Sequence, residues 1–210
     1  MKIFLISILL VFSVILAKAQ NMEDVFVKMP DNIILQLEEA WRKDLVDLYK
    51  SGKTASLENT MQGRSTLQKL TDDYMLLKST EQSEVEMKLL PLVNNTYVIC
   101  LIETVFGPVA DSRISFFTTD WMRISANELF VPVAEDWFLK EDADCSSSDF
   151  EEVMVELNMF LVKYSLCAES ANLTAEFTTP QYLSDKVREK AQPFLKTGIK
   201  TYEWKFGRFQ

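Results

Sequence analysis

Carboxylates are the chemistry-bearing side chains this sequence holds in quantity. Glu135-Asp136 and Glu141-Asp142 stand close to Trp137, and glycoside hydrolases use two carboxylates, often beside an aromatic sugar platform. Those two groups must reach the bond from opposite sides, and neighbours in a chain do not do so. With 31 Asp+Glu against 22 Lys+Arg, adjacent acids in a loop are ordinarily solvated. No catalytic residue is assigned, and a carboxylate-dependent, glycosidase-like hydrolase stands as the alternative reading. Asp142, Asp144, Ser146 and Ser148 alternate like the early ligands of a calcium loop. However, Ser147 and Val153 occupy the places where the EF-hand requires Gly and Glu. No metal ligand is assigned, and the 141–149 loop offers oxygen atoms without the motif.

The chain has no His. That removes Ser-His-Asp and Cys-His catalysis and every His-ligated metal site. Nucleotide-binding glycine motifs, GxSxG and CxxC are absent as well, so no cofactor is implied. The three cysteines are Cys100, Cys145 and Cys167. Cys100 sits in the apolar run Tyr97–Ile102 and reads as a buried small hydrophobe. Cys145 and Cys167 are the candidates for a disulfide, since both flank a helix-strand unit. Aromatic residues offer the remaining route to a function. Trp121, Phe130, Trp137 and Phe138 crowd one irregular stretch with Arg123 and Lys140 nearby, and binding sites combine aromatic walls with a few polar groups. Trp121, Arg123 and Trp137 are the candidate binding residues. The competing reading is a hydrophobic cluster beneath a long loop.

These residues must be positioned by elements legible from periodicity. After Met29-Pro30, Asp31 or Asn32 can cap a helix with Ile34, Leu37, Trp41, Leu45 and Leu48 on one face, leaving Gln36, Glu39, Arg42, Lys43 and Asp47 to solvent. Gly52 is its stop signal. From about 56 to 119 the period becomes two. Strands are expected over 74–80, 85–92, 96–106 and 112–119, joined by short turns and therefore antiparallel. The 96–106 strand is apolar on both faces and should be central. Residues 126–148 are irregular. Asp149 is a candidate cap for a short helix, 159–167 and 172–178 read as a hairpin, Ser184 starts a second helix, and Tyr202, Trp204 and Phe206 form one face of a final strand. Phe117-Thr118-Thr119 and Phe177-Thr178-Thr179 stand 60 residues apart, which raises an internal duplication of a hairpin-plus-helix unit. The expected fold is α+β: antiparallel sheets built from hairpins, with helices packed on one face. A calycin-like β-barrel is the alternative.

Met1-Lys2, an apolar Ile3–Leu16 and Ala17-Lys18-Ala19 form the pattern of a secretory signal peptide cleaved after Ala19. The apolar run is about 14 residues, short of the roughly 20 that span a bilayer. No later run could span one. Residues 1–19 hold two lysines and no acid, so their removal takes the formal charge from −9 to −11. Such acidity gives no electrostatic case for nucleic acid or an anionic membrane surface. The expected organisation is a signal peptide over 1–19 and one α+β domain over 20–210, with sub-units 20–125 and 149–210 joined by segment 126–148.

Several of these stretches together look familiar. They are the signal peptide, Met29-Pro30 before a Leu/Trp-bearing helix, the Phe106-Gly107-Pro108-Val109-Ala110-Asp111-Ser112-Arg113 turn leading to Phe117-Thr118-Thr119-Asp120-Trp121, and the terminal Tyr202-Glu203-Trp204-Lys205. Over its whole mature length the chain resembles domain-of-unknown-function family 3256, small exported proteins of gut Bacteroidales. The resemblance implies a periplasmic or secreted location and brings no catalytic residues. The function expected is a non-catalytic binding or interaction module of the cell envelope, with a protein, peptide or glycan as ligand.

Overall fold

A computed structural model describes residues 20–210; the signal-peptide reading lies outside the described residues. Two short helices come first, α1 (Met22–Val27) and α2 (Glu39–Lys50). A seven-stranded antiparallel sheet follows: β1 (Ser56–Glu58), β2 (Arg64–Leu70), β3 (Tyr74–Thr80), β4 (Ser83–Pro91), β5 (Tyr97–Phe106), β6 (Ala110–Thr118) and β7 (Arg123–Ile124), paired in sequence order. This up-and-down order is the one a calycin-like barrel uses. Segment 125–147 holds α3 (Ala126–Leu129) and a 3-10 turn at Glu135–Phe138. Then come α4 (Ser148–Glu156), β8 (Val162–Leu166), β9 (Asn172–Phe177), α5 (Thr179–Tyr182), α6 (Asp185–Ala191), β10 (Ile199–Lys205) and β11 (Arg208–Phe209). The last four strands form a second antiparallel sheet in the order β11-β10-β9-β8.

The first sheet is apolar on both faces because both are covered. Met75, Leu77, Val85, Met87, Leu89, Ile99, Leu101 and Phe117 pack against Phe26, Leu37 and Leu45 on the side of α1 and α2. Leu90, Val98, Cys100, Ile102 and Phe116 pack on the other side against Leu166, Leu173, Ala175 and Tyr202 of the second sheet. A third cluster joins α4 to α6 through Val153, Leu157, Ala191 and Phe194. Expected strand β5 is indeed central, paired to β4 and β6 along its whole length. The helices thus cover one face, and a sheet covers the other. Phe130, Val133 and Phe138 of the irregular segment fill the space between the sheets.

Four local expectations need correction. Helix α2 begins at Glu39, not at Asp31. Arg42 explains this. It was expected in solvent but is fully buried, and its five N–H donors go to the Val27 carbonyl (3.3 and 3.1 Å), Leu37 O (2.5 Å), Met29 O and Asp31 Oδ1 (2.8 Å). Those carbonyls hold residues 28–38 in a non-helical course. Helix α4 is capped by Ser147, whose Oγ accepts from Phe150 N at 3.2 Å, rather than by Asp149. Phe206 does not continue the face of Tyr202 and Trp204. It sits with Gly207 at the tip of the β10–β11 hairpin at φ 53°, and 90% of it is exposed. Glu86 and Lys88, which alternate with Val85 and Met87 along β4, are buried between the sheets as well.

The internal echo aligns one hairpin with another, β5–β6 with β8–β9. A 60-residue offset carries the pair Ile102↔Ile114 onto Val162↔Thr174, whereas Val162 pairs with Phe177. The two hairpins are therefore three residues out of register under that offset.

Strand β8 is the edge of the second sheet, and an edge leaves N–H groups needing acceptors. Side chains of the first sheet take all three that face outward. Val162 N donates to Asp111 Oδ1 (3.2 Å), Tyr164 N to Ser112 Oγ (3.1 Å) and Leu166 N to Glu86 Oε2 (2.6 Å). This hydrogen-bonded seam fixes how the two sheets lie and hence where the second sheet's C-terminal hairpin meets segment 126–132.

Candidate functional site

The structure separates the residues singled out by sequence. Trp121, in the turn after β6 at φ 61°, packs on Phe117 at 5.4 Å, in the core shared with α1 and α2. Its Nε1 is buried without a hydrogen-bond partner. Trp137 belongs to the other core, edge-on to Phe138 at 4.9 Å. Arg123 is exposed on β7, with Nη2 3.4 Å from Ser115 Oγ. The three do not form one site. Glu135 and Asp136 in the 3-10 turn, and Glu141 and Asp142 beyond it, are all exposed. In the 141–149 loop Asp144 Oδ1 is occupied by Ser146, accepting from its N at 3.1 Å and its Oγ at 2.6 Å. Among the described residues no group of three or more Cys, Asp or Glu stands close enough to hold a metal ion. Cys145 and Cys167 are not bridged: Cys145 is an exposed free thiol, and Cys167 Sγ contacts Glu169 Oε2 at 3.7 Å.

Of the three candidates, Trp137 leads to a site. Its ring is flanked by Lys196 Nζ at 5.5 Å and Lys200 Nζ at 5.6 Å from the centroid. Lys200 Nζ also lies 4.6 Å from the Tyr202 centroid. A cation over an aromatic face is held by the ring quadrupole, so the two rings park the Lys200 ammonium beside a cleft of about 380 Å³. Alternation along β10 places Lys200 and Tyr202 on the same, inward side. The cleft's far wall is α3 and the extended Phe130–Pro132; its near wall is Lys200, Tyr202 and the edge strand β11. Phe130 forms the floor, edge-on to Tyr202 (5.1 Å) and Phe209 (6.2 Å).

Polar groups ring this apolar floor: Asn127 and Glu128 from α3, Lys200 from β10, Arg208 from β11, and Gln210. Burial, and then the neighbouring Tyr164, push the Tyr202 phenol up to about 12. It therefore stays neutral at physiological pH, and its buried oxygen has no hydrogen-bond partner among the described residues. The residues missed by sequence reasoning were Lys200, Tyr202 and Arg208. A signal for them existed. Residues 185–210 hold seven of the chain's 22 Lys+Arg but only three of its 31 Asp+Glu, a basic end on an acidic protein.

An antiparallel α+β protein, with helices on one face of a seven-stranded sheet and a second sheet on the other, is the class this geometry defines. Residues 14–209 match the family described as Protein of unknown function (DUF3256), and the chain belongs to that family. It is also similar to the solved structure of a domain of an uncharacterized protein from Porphyromonas gingivalis W83. The two share 29% sequence identity at a TM-score of 0.82, over 90% of this chain and 98% of that one. No curated protein matches.

Proposed function

We propose that this protein is a non-catalytic binding module, exported by a Bacteroidales-type Gram-negative cell to its periplasm or surface. The observation that carries the binding reading is the cleft itself. Its lining holds two cations, two carboxamides and one side-chain carboxylate, Glu128, beside the apolar Leu129, Val131 and Pro132. Glycosidase chemistry needs a pair, and Glu135, Asp136, Glu141 and Asp142 are not part of this lining. The leader-like residues 1–19 support export. The 380 Å³ volume is at the small end of ligand pockets, about 300–1,000 Å³.

The test is incubation of the purified chain with pooled envelope glycans and peptides, with the protein at one-hundredth of the ligand concentration. Mass spectrometry then reads both the retained ligand and any product. Stoichiometric retention of an unmodified ligand is expected. Conversion of ligand in excess over protein would overturn the reading in favour of the hydrolase. N-terminal sequencing of the protein recovered from the envelope should start at Gln20; a start at Met1 or recovery from the cytosol alone would refute export.

A further inference from the structure

Deepening that reading and resting on it, we propose that the cleft between α3 and the β10–β11 hairpin takes a carboxylated sugar, a uronic-acid residue of a glycan. Charge comes first. Neither Lys200 nor Arg208 forms an ion pair among the described residues. Arg208 makes no side-chain hydrogen bond either, so its planar fork is free, and that fork matches a carboxylate. In a chain of net charge −9, two unpaired cations on one small cleft suit an anion.

Glu128 then limits which anion. A doubly charged phosphate facing that carboxylate meets like-charge repulsion. A ligand with one negative charge at the Lys200–Arg208 side and hydroxyls elsewhere does not, because Glu128 accepts hydroxyl protons. Among the described residues Asn127 makes no side-chain hydrogen bond, and Gln210 uses only Nε2, donating to Lys205 O at 3.0 Å. The Asn127 amide and the Gln210 carboxamide oxygen thus remain for a partner that both donates and accepts, as a sugar hydroxyl does. Beside these groups, Leu129, Val131 and Pro132 give the C–H face of a pyranose an apolar surface to rest on. The volume fits one sugar ring and its substituents.

Titration of the full exported chain with four probes tests this, read by heat and by amide chemical shifts. The probes are a disaccharide ending in a hexuronic acid, the neutral hexose disaccharide of the same size, inorganic phosphate, and a tripeptide with a free C-terminus. The acidic disaccharide should saturate the cleft residues, with the neutral one at least about tenfold weaker, the scale of one charged hydrogen bond. R208Q and K200Q should each weaken the acidic sugar by about tenfold and leave the neutral sugar unchanged, with thermal unfolding as in the wild type. Equal affinity for the two sugars would overturn the proposal. If phosphate or the tripeptide shifts the cleft residues while neither sugar does, the ligand class falls and the binding reading stands. If no probe shifts them, the ligand class falls, and the pooled-ligand experiment decides the binding reading separately.

Discussion

The backbone N–H of Leu166 donates to Glu86 Oε2 at 2.6 Å, tying the edge strand of the second sheet to an inward-facing carboxylate on the first. Tyr74 Oη donates to the other oxygen at 3.3 Å. Lys88, two residues along β4, meets Asp73 Oδ2 (2.9 Å) and Ala168 O (2.8 Å). Burial raises Glu86 from its ordinary value near 4.5 to about 7, with Glu84 adding to the rise; the Leu166 and Tyr74 hydrogen bonds and Lys163 oppose it.

Because the folded value is raised, the folded state holds the Glu86 proton over a pH range in which the unfolded chain has lost it. The stabilisation is complete below about 4.5 and is lost as pH rises through about 7. The loss is on the order of 3 kcal/mol. Glu86→Gln keeps an acceptor for Leu166 and removes the titration. Urea unfolding at pH 4 to 9 should therefore show the wild type losing stability relative to E86Q between about pH 4.5 and 7, with the difference levelling off above that. A constant difference across that range would sink this account.

Arg42 should be the most costly single charge to remove on the helical side. Its truncation leaves the Val27, Met29 and Leu37 carbonyls without their donor in a buried space, so Arg42→Ala should cost about 3–5 kcal/mol. Asp31→Asn should cost under about 1 kcal/mol, since the Asp31 side chain is 58% exposed. Chemical denaturation of both variants checks this; equal losses would show that the ion pair, not the carbonyl cluster, carries the stability.

The hairpin tip offers a stabilising change. Phe206 is exposed and held at φ 53°, followed by Gly207 at φ 77°, a region where a bulky side chain is strained. Asn tolerates it and, before Gly, suits a two-residue hairpin. Phe206→Asn should stabilise by about 1 kcal/mol and raise Tm; a lower Tm would mean the exposed ring makes a contact that matters.

Thiol labelling should distinguish the cysteines. Cys100 is fully buried, and its thiol is pushed up by burial and by Glu86, so it should react only after unfolding. Cys145 should react at once and Cys167 more slowly. Two labels are expected on the native chain and three on the unfolded one; no fast thiol in the native state would instead indicate a Cys145–Cys167 bridge.

Much of the element list was local enough to read. Gly52 ends α2 as expected, at φ 70° with its N–H on Tyr49 O, because a left-handed helix stop needs only its own backbone. Ser184 caps α6 through the same kind of short-range bond. The alternation of Val85, Met87 and Leu89 with Glu86 and Lys88 was enough to identify β4, since side-chain period is a property of one strand.

Which faces are wet is not a property of one strand. Glu86 and Lys88 are buried because Leu166 and Ala168, 80 residues away, bring a second sheet over them. Arg42 is buried because five of its donors meet carbonyl and carboxylate oxygens that precede it by up to 15 residues. Trp121 and Trp137, 16 residues apart, lie in different cores because β7 and α3 carry the chain from one face of the sheet to the other. The cleft has the same origin. Asn127 meets Arg208 and Gln210 across it only through the packing of α3 on β11. Periodicity determined the succession of strands. Tertiary packing decided the buried faces and the cleft, because desolvation and hydrogen-bond partners are set by what a side chain meets and not by its neighbours in the chain.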